Sequence, residues 1–163
     1  MEPCNVAPPA LAAQLRRIEP SVDIVGTRHR GCRLVLKDGR TIERALCIED
    51  RRGFHSGGWI HPEEIAEAAE SPYRLPPRLA TKLYAAGESG MGYVIFVVRL
   101  RSREEFVCVT EGIVDFPDFP PGVTGRDVAA VRPHEGREKT RREGFRRSAP
   151  FEFCYFVFGD GGG

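Results

Sequence analysis

The alternation of apolar and polar side chains is clearest over residues 91–110, MGYVIFVVRLRSREEFVCVT. Val94, Phe96, Val98 and Leu100 fall on one face of a first strand and Tyr93, Ile95 and Val97 on the other. A strand apolar on both sides is predicted to lie inside a sheet. A polar turn then returns the chain into a second strand. An equivalent hairpin is predicted over residues 32–37 and 41–48, around Asp38-Gly39, a dipeptide suited to tight hairpin turns. Residues 151–158, FEFCYFVF, again read as a strand covered on both faces. Weaker patterns place a first strand at 22–26, an extension of the central hairpin at 113–116 and a strand at 127–132.

Three segments carry helical spacing. In residues 8–18, Leu11, Leu15 and Ile18 share a face, and Glu19-Pro20 ends the run. Residues 62–70 begin with Pro62 and place Glu63 and Glu64 in the first turn, both favourable at a helix start. In residues 79–86, Leu79 and Leu83 are paired at i,i+4 and Gly87 supplies a cap. Residues 51–61, 116–122 and 135–148 read as connections, the last polar, basic and exposed. The fold class expected is α+β: a mainly antiparallel β-sheet built from hairpins, with two or three short helices. Its core would draw on Leu34, Leu36, Ile42, Leu46, Val94, Phe96, Val98, Phe106, Phe153, Tyr155 and Val157. One domain over 1–163 is the default at this length. The alternative is two similar helix-plus-hairpin halves, about 8–60 and 62–158, alike in architecture without an evident residue-level repeat.

Composition narrows the picture modestly. The chain is 41% hydrophobic and 29% charged, with a net charge of +1, which gives no global attraction to nucleic acid or anionic membrane. The five cysteines, Cys4, Cys32, Cys47, Cys108 and Cys154, include no Cys-x-x-Cys, and four lie in strand-like runs. Buried reduced thiols are expected, and with them a cytoplasmic location. Glu2, Pro3 and Arg16-Arg17 do not make a secretory leader, and no apolar run approaches 18 residues, so no membrane association is expected.

Candidate chemistry is sparse. Gly87-Glu88-Ser89-Gly90-Met91-Gly92 is preceded by a helix and followed by a strand, the reverse of a phosphate loop. Met91 stands where a nucleophile elbow at Ser89 needs glycine. His29, His55, His61 and His134 form no His-Glu-x-x-His, so neither a metal nor another cofactor is expected. Cys32, beside Arg33 and near His29, is the thiol best placed to react, although its strand setting favours inert packing. His134 reads as an exposed loop histidine rather than a general base.

Binding is better represented. Arg51, Arg52, His55, Trp59 and His61 lie in one glycine-rich loop, where arginine forks and an aromatic face suit an anionic or planar ligand. The commoner outcome is that Trp59 and Phe54 pin the loop to the core. Residues 137–147, REKTRREGFRR, carry six basic and two acidic side chains with Phe145 among them, but a solvated basic loop is the commoner outcome, and nucleic acid is not the expected partner. The final Gly159-Asp160-Gly161-Gly162-Gly163 resembles the tail of ubiquitin-like modifiers. That resemblance implies conjugation to an amine through Gly162-Gly163, although no arginine leads into the diglycine.

With no catalytic constellation legible, the expected function is that of a small cytosolic, non-catalytic binding or adaptor protein acting through protein–protein contacts. The alternatives are a modifier conjugated through its C-terminal glycine, and a small cysteine- or histidine-dependent hydrolase or transferase.

Overall fold

A computed structural model describes residues 5–50 and 60–159. The chain is α+β, with three short helices and eight strands among the described residues, and its sheets are mostly antiparallel. In chain order the elements are α1 (Pro9–Arg16), β1 (Ser21–Val22), β2 (Arg28–Leu36), β3 (Thr41–Glu49), β4 (Ile65–Glu70), α2 (Pro77–Ala86), β5 (Val94–Leu100), β6 (Glu105–Thr110), β7 (Val128–Pro133), α3 (Arg137–Glu143) and β8 (Glu152–Phe156). Single 3-10 turns, Pro62–Glu64 and Gly125–Asp127, precede β4 and β7. The chain divides into two compact units. One comprises Met1–Pro20, Val25–Ser71 and Phe151–Gly163; the other comprises Ser21–Ile24 and Pro72–Pro150.

In the first unit the strand order is β4-β2-β3-β8, antiparallel except that β8 runs parallel to β3. Leu34, Leu36 and Cys47 pack against Leu11, Leu15 and Ile18 of the helical segment, so the predicted apolar stripe of α1 is the one buried. Arg30 is buried but satisfied. Its Nε donates to the Ile18 carbonyl at 3.0 Å, its guanidinium meets Glu49 at 3.3 Å, and it lies over the Phe156 and Phe158 rings.

In the second unit the order is β6-β5-β7. Val94, Phe96 and Val98 pack with Leu79 and Leu83 of α2, while Ile95 and Val97 form a separate cluster with Val107. Both faces of β5 are therefore covered, as its apolar pattern requires. Asp115 is fully buried and takes hydroxyl donors from Ser21, at 2.5 Å, and from Tyr84. The Tyr84 oxygen accepts the Val114 N–H, and the Asp115 carbonyl accepts the Leu75 N–H. This network ties the start of α2 and its last turn to one loop.

The two units share one plan to the level of single bonds. The segments PPALAAQL (residues 8–15) and PPRLATKL (residues 76–83) occupy the same place, with proline starting the helix and leucines at equivalent buried positions. This is a residue-level repeat that the sequence alone did not make evident. Each hairpin turn closes alike: Leu36 N–H donates to Arg40 O, and Leu100 N–H to Glu104 O. A left-handed residue stands at the same turn position, Gly39 in one and Arg103 in the other. Lys37 N–H donates to Glu64 O just as Arg101 N–H donates to Asp127 O, bringing the third strand back beside the first. Even the helix anchor repeats. Gln14 Oε1 accepts the Ala68 N–H of β4, and Lys82 Nζ donates to the Val131 carbonyl of β7.

Several expected elements differ. Residues 62–70 are not a helix but a 3-10 turn followed by β4. The cause is a bulge: Leu36 pairs Ile65 while Val35 pairs Glu67, leaving Ala66 as an extra residue. Ile65 and Ala68 therefore both face inward, an i,i+3 spacing that imitates a helix. Ala129 does the same between Val128 and Val131 in β7. Residues 113–116 form no strand; β7 is the third strand of that sheet. β8 ends its sheet with Cys154 and Phe156 buried and Phe153 and Tyr155 half-buried, so among the described residues one of its faces is covered fully and the other in part.

Two substitutions test this plan. A Cβ at Gly125 would stand 2.0 Å from the Arg74 carbonyl oxygen, a backbone atom. Gly125→Ala should cost about 3 kcal/mol or more in chemical denaturation, whereas Gly112→Ala, where a Cβ meets open space, should be near neutral. Arg103→Gly should gain about 0.5 kcal/mol, because relief of a left-handed non-glycine residue slightly exceeds the entropy lost with glycine.

Candidate functional site

What sets the second unit apart is the chain between β7 and residue 150. His134 adopts a positive φ of 65°, which turns the chain after Pro133, and its N–H donates to the Ile95 carbonyl at 2.8 Å. Gly136, at φ 105°, lies against Val97 and Val107 so closely that a Cβ would stand 2.8 Å from a Val107 methyl. Residues 135–148, expected as a loop, instead continue into α3, which Gly144 ends with another positive φ. The segment then runs beside β6. Arg146 N–H donates to Val107 O, Val109 N–H donates to Arg146 O, and Asp118 N–H donates to Arg147 O, each at 2.8 Å. Backbone bonds thus hold both ends while α3 itself buries no side chain. A short helix without a buried face is a surface feature.

The basic charge of this segment is partly neutralised. Arg132 meets Glu105 through both terminal nitrogens, at 2.6 and 3.2 Å, and Glu135 at 3.2 Å. The Arg132 guanidinium holds the Glu105 carboxyl below its usual range. Arg146 lies 3.7 Å from Asp118, and Lys139 lies 3.9 Å from Glu143. Arg141, Arg142 and Arg147 are exposed, and the Arg147 guanidinium lies over the Phe145 ring, which is itself 44% exposed. Two concavities flank the helix. One, of about 510 Å³, is lined by Phe106, Val107, Phe145, Arg146 and Arg147 with Asp118 among others; the second, of about 560 Å³, runs from His134 along α3 to Glu143.

At the other end of this segment, His134 meets Ser89. Ser89 Oγ and His134 Nδ1 are 2.7 Å apart, His134 Nε2 lies 3.0 Å from the Ala86 carbonyl, and the Ile95 N–H donates to Ser89 Oγ at 2.9 Å. Arg137 donates to the Ser89 carbonyl and to the Tyr93 hydroxyl. Ser89 and His134 are 45 residues apart, and no sequence spacing relates them.

Of the residues singled out in the sequence, Arg51, Arg52, His55, Trp59, Gly162 and Gly163 lie outside the described residues. His61 caps the 3-10 turn before β4: its N–H donates to Glu64 Oε2 at 2.9 Å, and its Nδ1 is 3.4 Å from Asn5 Oδ1. Cys32, Cys47 and Cys154 are buried together in the first unit, where hydrogen bonding to Cys154 and then Cys32 pushes the Cys47 thiol well up. Cys108 is buried in the second unit, and desolvation pushes it up to about 12. Among the described residues no group of three or more His, Cys, Asp or Glu side chains is placed to hold a metal ion, and no helix is long and apolar enough to cross a membrane. No family model, curated protein or solved structure matches the chain.

The buried titrating groups define a pH limit. Burial also raises the Tyr84 hydroxyl, with the neighbouring Asp115 charge adding to it. Raised folded-state values stabilise the fold below the ordinary thiol and phenol pKa values, about 9 and about 10, and that contribution fades as pH climbs above them. The denaturation midpoint of the chain should therefore fall progressively above about pH 9, as read by urea titration. In a Cys4→Ser background, Cys32, Cys47, Cys108 and Cys154 should resist a thiol reagent at pH 8 until denaturant is added.

Proposed function

We propose that the protein is a binding protein that acts through contact with another protein, and that the α3 face of its second unit is the contact surface. The observation that carries this reading is Phe145: a large apolar ring, 44% exposed, flanked by exposed Arg141, Arg142 and Arg147 and opening onto a concavity of about 510 Å³. Aromatic and arginine side chains at the centre of a patch are the usual anchors of protein interfaces. The partner that fits is an acidic protein segment carrying an apolar side chain for the Phe145 concavity. Carboxylates are interspersed along the same surface at Glu105, Asp118, Glu138 and Glu143, and they disfavour a continuous run of phosphates. The four buried free thiols at Cys32, Cys47, Cys108 and Cys154 support a reducing compartment, and we place the protein in the cytoplasm.

The test is native capture from source-cell lysate by the whole chain, in parallel with a variant carrying Arg141→Glu, Arg142→Glu and Phe145→Ala. A defined protein partner should be retained by the wild type, with binding to the variant weakened by about 30-fold or more, as loss of an interface anchor implies. A fluorescent single-stranded oligonucleotide should show no saturable binding at about 0.15 M salt. Equal capture by wild type and variant, or tight salt-sensitive oligonucleotide binding, would overturn the reading.

A further inference from the structure

From the Ser89–His134 pair we infer a second capability, independent of the contact surface: Ser89 is a nucleophile activated by His134, and it takes an acyl group from activated carboxylic esters. The inference starts from the tautomer. His134 Nε2 is 3.0 Å from a carbonyl oxygen, that of Ala86, which can only accept; Nε2 therefore carries the proton. Nδ1 is left with its lone pair, and it faces Ser89 Oγ at 2.7 Å, so the serine hydroxyl donates to it. A nucleophile, a base and a group orienting the base are thus joined in one hydrogen-bonded line, with a backbone carbonyl in the place a carboxylate often takes. The Ile95 N–H occupies a serine lone pair at 2.9 Å and fixes the direction of the hydroxyl.

The surroundings suit the reaction. His134 is held at a φ of 65°, an uncommon value for a residue other than glycine, and this conformation is what brings the ring to Ser89. Gly90 and Met91 follow the serine in a loop whose tip is open, Met91 being 99% exposed, while Gly90 pairs with Tyr93 in an isolated antiparallel bridge. The Met91 N–H, at the open tip, is the donor available to an oxyanion formed beside Ser89. The Tyr93 ring packs directly over Gly90, where a Cβ would stand 2.3 Å from it. Tyr93 in turn receives Arg137, whose guanidinium also binds the Ser89 carbonyl at 2.8 Å and brings positive charge next to the nucleophile. The concavity of about 560 Å³ is lined by His134 and Arg137 and lies on the base's side of the pair.

In the step itself, Ser89 Oγ forms a bond to the ester carbonyl carbon while its proton passes to His134 Nδ1. The tetrahedral adduct collapses with cleavage of the bond to the leaving alkoxide or phenolate, which takes the proton from Nδ1 and departs as the alcohol. Water then attacks the acyl-serine, gives a proton to Nδ1, and releases the carboxylic acid as the proton returns to Ser89 Oγ.

The experiment uses the full chain with p-nitrophenyl acetate and, separately, a fluorophosphonate. Intact mass and peptide mapping follow the label, and circular dichroism monitors folding. The wild type should acquire one acetyl or phosphonyl group on Ser89. Ser89→Ala should not acquire it. His134→Gln keeps a hydrogen-bonding group next to Ser89 but cannot take the proton, so its labelling should fall by about 100-fold or more while the fold is kept. An unlabelled wild type, a label placed elsewhere, or equal labelling of a folded His134→Gln protein would overturn the inference and leave the pair as a clip that closes the loop. Should Ser89→Ala fail to fold, His134→Gln and the mapped position of the label decide the matter.

Discussion

Both units depend on the return of a third strand to the first strand of its hairpin. In each, one backbone bond starts the return, Lys37 N–H to Glu64 O or Arg101 N–H to Asp127 O. One bulged alanine, Ala66 or Ala129, then resets the alternation. Without that bulge, Ala68 and Val131 would face the wrong side of the sheet. With it, both are buried alongside the helix-facing residues of the same unit. Gln14 and Lys82 then reach from equivalent helix positions to the same strand position. The chemistry of the anchor changed, an amide acceptor in one unit and an ammonium donor in the other, while its geometry stayed.

Function is more readily sought where the units diverge than where they agree. The shared parts are occupied with packing, and the buried cysteines, Arg30 and the Asp115 network are all satisfied by interior partners. Divergence is concentrated after β7. There the second unit adds a helix that buries none of its side chains, before the chain returns beside β6 through Arg146 as β8 lies parallel beside β3 in the first unit. A segment that is fixed at both ends yet exposes Phe145 and three arginines presents those side chains without using them for folding, as the proposed contact surface requires. Such preorganisation lowers the ordering cost of binding.

The sequence made the hairpins, α1, α2 and the fold class legible, because each rests on local periodicity or on a turn dipeptide such as Asp38-Gly39. It misled at residues 65–70, where alanine and glutamate favour helix and the bulge produces helical spacing in a strand. A corrective signal was present in the parallel between HPEEIAEA (residues 61–68) and TGRDVAAV (residues 124–131): a capping pair followed by apolar residues three apart, occurring twice. The candidate site was legible in part. The arginines around Phe145 stand out in composition, but their helix is set by Gly136 fitting over Val97 and Val107, a contact between distant positions. The Ser89–His134 pair left no trace, since a hydrogen bond between residues 45 apart has no sequence period.

The central functional claim is that Phe145 sits in a contact with another protein, and photocrosslinking tests it most directly. A photoreactive benzoyl-phenylalanine would be placed at position 145 in the source cell, and, as a control, at position 91, which is 99% exposed but lies away from α3 in the sequence. A discrete protein adduct from position 145, absent from position 91, is the result the account predicts. No adduct at 145 above that at 91 would contradict it.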